Sequence, residues 1–290
     1  MFNGALTAIV TPFRDGAIDE TALRELIEWQ IQSGIDGLVP CGSTGESATL
    51  THSEHDRVIK VTVEQTRRRV PVLAGTGSNS TAEAIRLTTA AREMGADGAL
   101  LLSPYYNKPT QDGIYKHYKM IAASVDLPLL VYNIPGRTAS NITPETFHRL
   151  SEIRGIVGVK EAAGSMDQVS DMRRLCGERF TILSGDDGLT LPVMALGGKG
   201  VISTTSNVMP REMHDLVAAA LEGDFVRARE IHYRMLPMMR ALFLETNPIP
   251  VKQALACMGK CANELRMPLV QMSPGPADRL KSAMKEARLI

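Results

Sequence analysis

Short apolar runs recur along the chain, and each closes on glycine, a hydroxyl residue, tyrosine or lysine before a longer amphipathic stretch begins. The runs cover residues 5–12, 36–41, 70–75, 98–103, 127–132, 156–160, 180–184 and 200–204. They are continuously apolar, the pattern of strands covered on both faces. Between them the spacing turns helical. In 21–33, Leu23, Leu26, Ile27 and Ile31 share one face, and 81–94, 144–150 and 210–221 read the same way. Thr143 stands before Pro144 as a cap followed by a first-turn proline. Eight strands alternating with eight helices predict parallel βα units. Eight units in about 210 residues predict a (β/α)8 TIM barrel. An open doubly wound sheet calls for a Gly-x-Gly-x-x-Gly turn after the first strand, and Thr11-Pro12-Phe13 is not one. Beyond Asp224 strand signals stop, and 225–245, 251–258 and 276–286 read as helices. The predicted organisation is a catalytic barrel over 1–223 and an all-helical C-terminal extension over 224–290. Met235, Met238 and Met239 of that extension are expected in the core or at a subunit contact.

Composition narrows the function classes. The 290 residues carry 32 basic and 32 acidic side chains, so no net field favours nucleic acid or an anionic membrane. Arg67-Arg68-Arg69 is the one dense basic run and suits the C-terminal end of a helix. No apolar run reaches the ~18–20 residues of a membrane span, and the N-terminus shows no signal-peptide pattern. Cys41, Cys176, Cys257 and Cys261 have neither metal nor disulfide spacing. A cytoplasmic protein without a metal site is expected.

In such a barrel the chemistry lies at the C-terminal ends of the strands. The second strand ends in Gly42-Ser43-Thr44-Gly45-Glu46, the fourth in Tyr105-Tyr106-Asn107 and the fifth in Tyr132-Asn133. The sixth ends in Lys160-Glu161 and the seventh in Ser184-Gly185-Asp186-Asp187. Lys160 closes the apolar run from Ile156. A lysine buried there loses hydration, its pKa falls, and its neutral amine can form a Schiff base; the alternative is a strand-end lysine that snorkels to water. Gly42-Ser43-Thr44-Gly45 offers backbone N–H groups and two hydroxyls to a carboxylate, or is a plain glycine turn. The tyrosines either relay protons or seat a hydroxyl at a wet edge. Arg137 either forks onto a second carboxylate or is solvated. Asp186-Asp187 reads as helix capping before metal binding, since no third ligand is near. His52 and His55, with Asn79 and Glu83, form either a polar pocket or ordinary surface.

At these residues the chain resembles the dihydrodipicolinate synthase family of the N-acetylneuraminate lyase superfamily. The likeness runs over essentially the whole length. It is carried by Gly42-Ser43-Thr44-Gly45-Glu46-Ser47, Tyr105-Tyr106-Asn107-Lys108-Pro109, Tyr132-Asn133-Ile134-Pro135-Gly136-Arg137-Thr138 and Val159-Lys160-Glu161-Ala162. Ser184-Gly185-Asp186-Asp187, Gly200-Val201-Ile202-Ser203 and Asn247-Pro248-Ile249-Pro250-Val251-Lys252 continue it. The resemblance implies a class I aldolase-type condensation in lysine and diaminopimelate biosynthesis. Lys160 would form an imine with pyruvate, and Thr44 would hold its carboxylate. Tyr132, Ser43 and a partner subunit's copy of Tyr106 would relay protons. Arg137 would bind the carboxylate of L-aspartate 4-semialdehyde, and Gly185 and Ile202 would line the pocket through their backbone. It further implies a homotetramer built as a dimer of dimers, with no metal or organic cofactor for chemistry.

Ser43 departs from the threonine usual in this family. It keeps the hydroxyl but loses the methyl that restricts χ1, so a less rigid relay is expected. Some family members are inhibited by L-lysine, and the matching positions here are Ser47, Ala48, His52, His55, Asn79, Glu83 and Tyr105. Feedback inhibition is therefore expected, with Glu83 pairing the effector's amine. Two competing readings share part of this site. One is a pyruvate-dependent aldolase or lyase acting on a sugar acid such as sialic acid. The other is a non-catalytic keto-acid sensor, which retention of Lys160, Tyr132, Tyr106 and Arg137 disfavours.

Overall fold

A computed structural model describes residues 2–290. Eight strands form the sheet: β1 (Gly4–Thr7), β2 (Gly37–Leu38), β3 (Leu73–Gly75), β4 (Gly98–Leu102), β5 (Leu129–Asn133), β6 (Ile156–Glu161), β7 (Thr181–Ser184) and β8 (Gly200–Ser203). Their order is β2-β1-β8-β7-β6-β5-β4-β3, with every adjoining pair parallel. An isolated parallel bridge between Leu38 of β2 and Val72, the residue before β3, closes the barrel. This is the TIM barrel that the alternating runs predict.

Each strand is followed by a helix: α1 (Glu20–Gln32), α2 (His52–Thr66), α3 (Thr81–Glu93), α4 (Gln111–Ser124), α5 (Pro144–Ser151), α6 (Met166–Cys176), α7 (Thr190–Ala195) and α8 (Pro210–Leu221). The first six start on Asp19, Thr51, Ser80, Thr110, Thr143 and Ser165. Each of these side chains accepts the N–H three residues on, satisfying a donor the helix itself leaves free. Thr51 and Glu54 complete a reciprocal capping box.

The ladders are shorter than the apolar runs. The first run, 5–12, leaves the sheet after Thr7, although Ala8 N–H still donates to Ser203 O at 2.9 Å and Ile9 N–H to Val39 O at 3.2 Å. The chain then turns through Thr11-Pro12 into an antiparallel hairpin, Phe13–Arg14 with Ala17–Ile18, that the run pattern does not predict. Its signal is Asp15-Gly16, both at positive φ (54° and 80°), the dipeptide of a tight hairpin turn.

Alternation along β5 sorts its side chains. Leu130 and Tyr132 join Leu6, Val39, Leu73, Leu100, Leu183 and Ile202 in the barrel interior. Leu129 and Val131 face the helices with Val159 of β6. Beyond α8 the chain is helical, as α9 (Phe225–Ala241), α10 (Ile249–Cys257) and α11 (Pro274–Glu286). Met235, Met238, Met239, Leu255, Leu280 and Met284 share one buried cluster with Ala5, Leu23 and Ile27. The three methionines singled out above are therefore core residues. Among the described residues no helix is long and apolar enough to cross a membrane.

Candidate active site

Lys160 and Tyr132 are register partners on β6 and β5. Because both fall on the interior phase of the alternation, the two side chains meet inside the mouth of the barrel. Lys160 Nζ sits 4.3 Å from the centroid of the Tyr132 ring. Lys160 is 7% exposed. Loss of hydration lowers its pKa to about 8; Asp187 opposes this and Arg137 reinforces it. Burial also pushes the Tyr132 phenol up, so the ring stays a neutral hydroxyl able to give and take a proton. One residue further on, Asn133 and Glu161 are again register partners, now on the helix-facing side. Asn133 Nδ2 donates to both carboxylate oxygens of Glu161 at 3.2 and 3.0 Å, and Ala163 N–H and Gln168 Nε2 donate to them as well. This pair holds the ends of the two strands that carry Tyr132 and Lys160.

A small cavity of about 60 Å3 lies over this pair. Its walls include Ser43, Thr44, Tyr132, Arg137, Lys160 and Gly185. Thus six of the eight residues assigned above to catalysis and substrate binding converge. Gly185 is required by close approach: a Cβ there would come 2.7 Å from Ala162 Cβ and 3.1 Å from Lys160 Cε. Ile202 is buried in the interior cluster with Tyr132 and is not part of the cavity wall. Asn247 does line the cavity. Its Nδ2 donates to Thr44 Oγ1 at 2.9 Å, and its carbonyl accepts from Arg137 Nη2 at 2.8 Å. In the sequence Asn247 is one letter of the Asn247-Pro248-Ile249-Pro250 motif with no chemistry attached to it, and its contacts span 203 and 110 residues. Of the two acidic residues of Ser184-Gly185-Asp186-Asp187, only Asp186 caps the turn that follows, whereas Asp187 reaches across to the loop after β8. Asp186 accepts from Gly188 N–H, and Asp187 Oδ2 accepts from Thr204 N–H, Thr205 N–H and the Thr205 hydroxyl.

A second, larger cavity of about 450 Å3 adjoins the first, and Ser43, Arg137 and Asn247 belong to both walls. Ser47, Ala48, His52, His55, Glu83 and Tyr105 line it. His52 Nε2 lies 2.9 Å from Glu83 Oε1, and the Ser78 hydroxyl donates to Glu83 Oε2. These contacts hold the Glu83 carboxyl below its usual range. His55 Nε2 lies 2.9 Å from the carbonyl of Gly75. Asn79 stands beside this wall and donates to Tyr105 O at 3.2 Å. Tyr106 belongs to neither cavity: it is 89% exposed, with φ of 71°.

The family model of the dihydrodipicolinate synthetase family matches residues 1–287. The chain belongs to this family. It is an enzyme, a lyase with the family's barrel. A 4-hydroxy-tetrahydrodipicolinate synthase of Syntrophus aciditrophicus is 58% identical over 290 residues, covering all of both chains. Among solved structures, a chloride-inhibited dihydrodipicolinate synthase of Acinetobacter baumannii complexed with pyruvate is 43% identical. It superposes with a TM-score of 0.98, covering 100% of both chains. A lysine-bound dihydrodipicolinate synthase of Cyanidioschyzon merolae is 39% identical, with a TM-score of 0.97 and coverage of 100% of this chain and 99% of that one.

Within this family member, the burial of Lys160 and the clustering of strand-end hydroxyls were legible because strand ends in a parallel barrel share one rim. Asn247 and Glu46 were visible only as motif letters. Glu46 is 4% exposed at φ 54°, and the one hint of its role is an acidic residue following a glycine-rich turn.

Proposed function

We propose that the protein condenses pyruvate with L-aspartate 4-semialdehyde to give 4-hydroxy-tetrahydrodipicolinate, through a Schiff base on Lys160. The observation that carries this reading is a buried lysine amine, lowered to about 8, at the rim of the barrel. At neutral pH about a tenth of such an amine is unprotonated and free to attack a ketone. Thr44 and the N–H groups of the Gly42-Ser43-Thr44-Gly45 turn hold the pyruvate carboxylate. Tyr132 passes the protons of carbinolamine collapse, with Ser43 next in the relay. Loss of a proton from the imine gives the enamine, whose carbon attacks the semialdehyde, and ring closure releases the lysine. Arg137 receives the second carboxylate. Its guanidinium is already oriented by the carbonyl of Asn247. Gly185 leaves room beside Lys160 Cε, and Ile202 supports the floor from within the barrel.

Tyr106 completes the relay in the active site of a neighbouring subunit. A tyrosine both exposed and in the left-handed region is a costly arrangement, and docking into a partner gives it a purpose. The assembly is a homotetramer made of two tight dimers, and the setting is the cytoplasm. The larger cavity takes L-lysine, with Glu83 receiving an amine and Ser47, Ala48, His52, His55, Asn79 and Tyr105 around it. The lysine-bound relative supports this assignment.

Borohydride reduction in the presence of pyruvate, followed by peptide mapping, tests the mechanism: the adduct is expected on the Lys160 peptide, and its absence there would sink the Schiff-base reading. A coupled assay with aspartate semialdehyde is expected to show turnover, and one with sialic acid none. Millimolar L-lysine is expected to inhibit, and an unresponsive rate would remove the effector assignment.

A further inference from the structure

The Gly42-Ser43-Thr44-Gly45 turn is gripped from behind by a buried ion pair. Glu46 follows the turn, and its carboxylate pairs with the ammonium of Lys252, the two side chains being 1% and 0% exposed. Glu46 Oε2 also accepts Arg266 N–H at 3.0 Å. Lys252 Nζ donates to Glu264 O at 2.8 Å and lies 4.1 Å from the centroid of the Phe13 ring. The Arg266 guanidinium stacks on that ring at 4.4 Å and pairs with Glu54. The turn is itself folded by Gly45 N–H to Gly42 O at 3.0 Å and Glu46 N–H to Ser43 O at 3.2 Å. Lys252 belongs to α10, and Asn247, just before α10, holds Thr44. One helical segment therefore holds the turn at two points, Thr44 and Glu46.

A buried ion pair is a poor way to gain stability, because desolvation of both charges cancels most of the attraction and an apolar pair of similar volume does as well. What it supplies is a fixed, directional distance. Lys252 lines neither cavity, and Glu46 reaches only the larger one. We infer that Glu46 and Lys252 are positioning residues, through which the C-terminal helices fix the carboxylate-binding turn relative to Lys160. The inference rests on the proposed role of Thr44 in holding pyruvate.

The test is the full-length double variant Glu46→Gln/Lys252→Met, which removes both charges and keeps the volume. Displacing a binding group by a fraction of an ångström weakens binding steeply, so the pyruvate KM is expected to rise about tenfold or more. The melting temperature, kcat at saturating pyruvate and the semialdehyde KM are expected to stay near parental values. A merely structural lesion would move both KM values and the melting temperature together, and that pattern overturns the inference. So does a folded double variant with an unchanged pyruvate KM. If the double variant does not fold, Glu46→Asp keeps the charge and shortens its reach, and its pyruvate KM is read in the same way. Borohydride trapping on the parent separates the two claims: no pyruvate adduct there would defeat the functional reading itself, whereas an adduct with unchanged variant KM defeats only the positioning role.

Discussion

Lys160 combines burial with a charge that burial disfavours. Its pKa is lowered from 10.5 to about 8, so between those values the unfolded chain binds more protons than the folded one. Folding stability contributed by this group therefore rises as pH climbs from 8 to 10.5, and below pH 8 the buried ammonium is a constant penalty. At one pKa unit per 1.36 kcal/mol the penalty is on the order of 3 kcal/mol at neutral pH. Lys160→Met is expected to abolish the pyruvate adduct and raise the melting temperature by several degrees at pH 7. That gain should vanish above pH 10.5, where the amine is neutral in both states; calorimetry across the range checks it. Adduct formation by the parent should accelerate up to about pH 8 and then level off, as measured by borohydride quench.

The β5–β6–β7 segment shows why element ends place chemistry so reproducibly. Parallel register sets Tyr132 beside Lys160 and Asn133 beside Glu161, one pair facing in and the other out. On the other side of β6, Gly158 pairs with Thr181, and a Cβ at Gly158 would lie 2.2 Å from the Thr181 carbonyl oxygen. The obstacle is backbone of the adjoining strand, so side-chain movement cannot relieve it. Gly158→Ala is expected to destabilise the fold by about 3 kcal/mol, lowering the melting temperature by on the order of 10 °C. A melting temperature within a degree of the parent would show that β6 and β7 separate freely here.

For the whole molecule, the exposed Tyr106 is the feature that one subunit leaves unexplained. If it acts in trans, Lys160→Ala and Tyr106→Phe subunits should complement each other. The Tyr106→Phe subunit keeps Lys160 and receives Tyr106 from its Lys160→Ala neighbour. Denaturing and refolding an equal mixture should restore up to about a quarter of parental activity, since half the dimers are mixed and each has one intact site. If the mixture is no more active than the separate variants, Tyr106 does not act across the interface. The C-terminal helices add a second dependence at this scale. They share a core with β1 and α1 and deliver Asn247 and Lys252 to the turn after β2, so the site is built from both ends of the chain.

The sequence by itself determined the barrel, its strand ends and the lysine. Those features follow from local rules: apolar runs choose strands, hydroxyl caps start helices, and parallel winding brings strand ends to one rim. It also yielded the family, through motifs that keep their order and spacing. The ladder limits were not legible, because the apolar stretch after Thr7 is buried whether or not it stays in the sheet. The hairpin at Asp15-Gly16 was legible only to turn chemistry. Tertiary structure alone decided that Asn247 joins Thr44 to Arg137, that Glu46 meets Lys252, and that Ile202 stays below the cavity. Those outcomes depend on where distant segments cross, and no local pattern encodes the partner of a buried polar group. Burial then makes the pairing obligatory, since an unpaired charge or amide in the interior is too costly to leave.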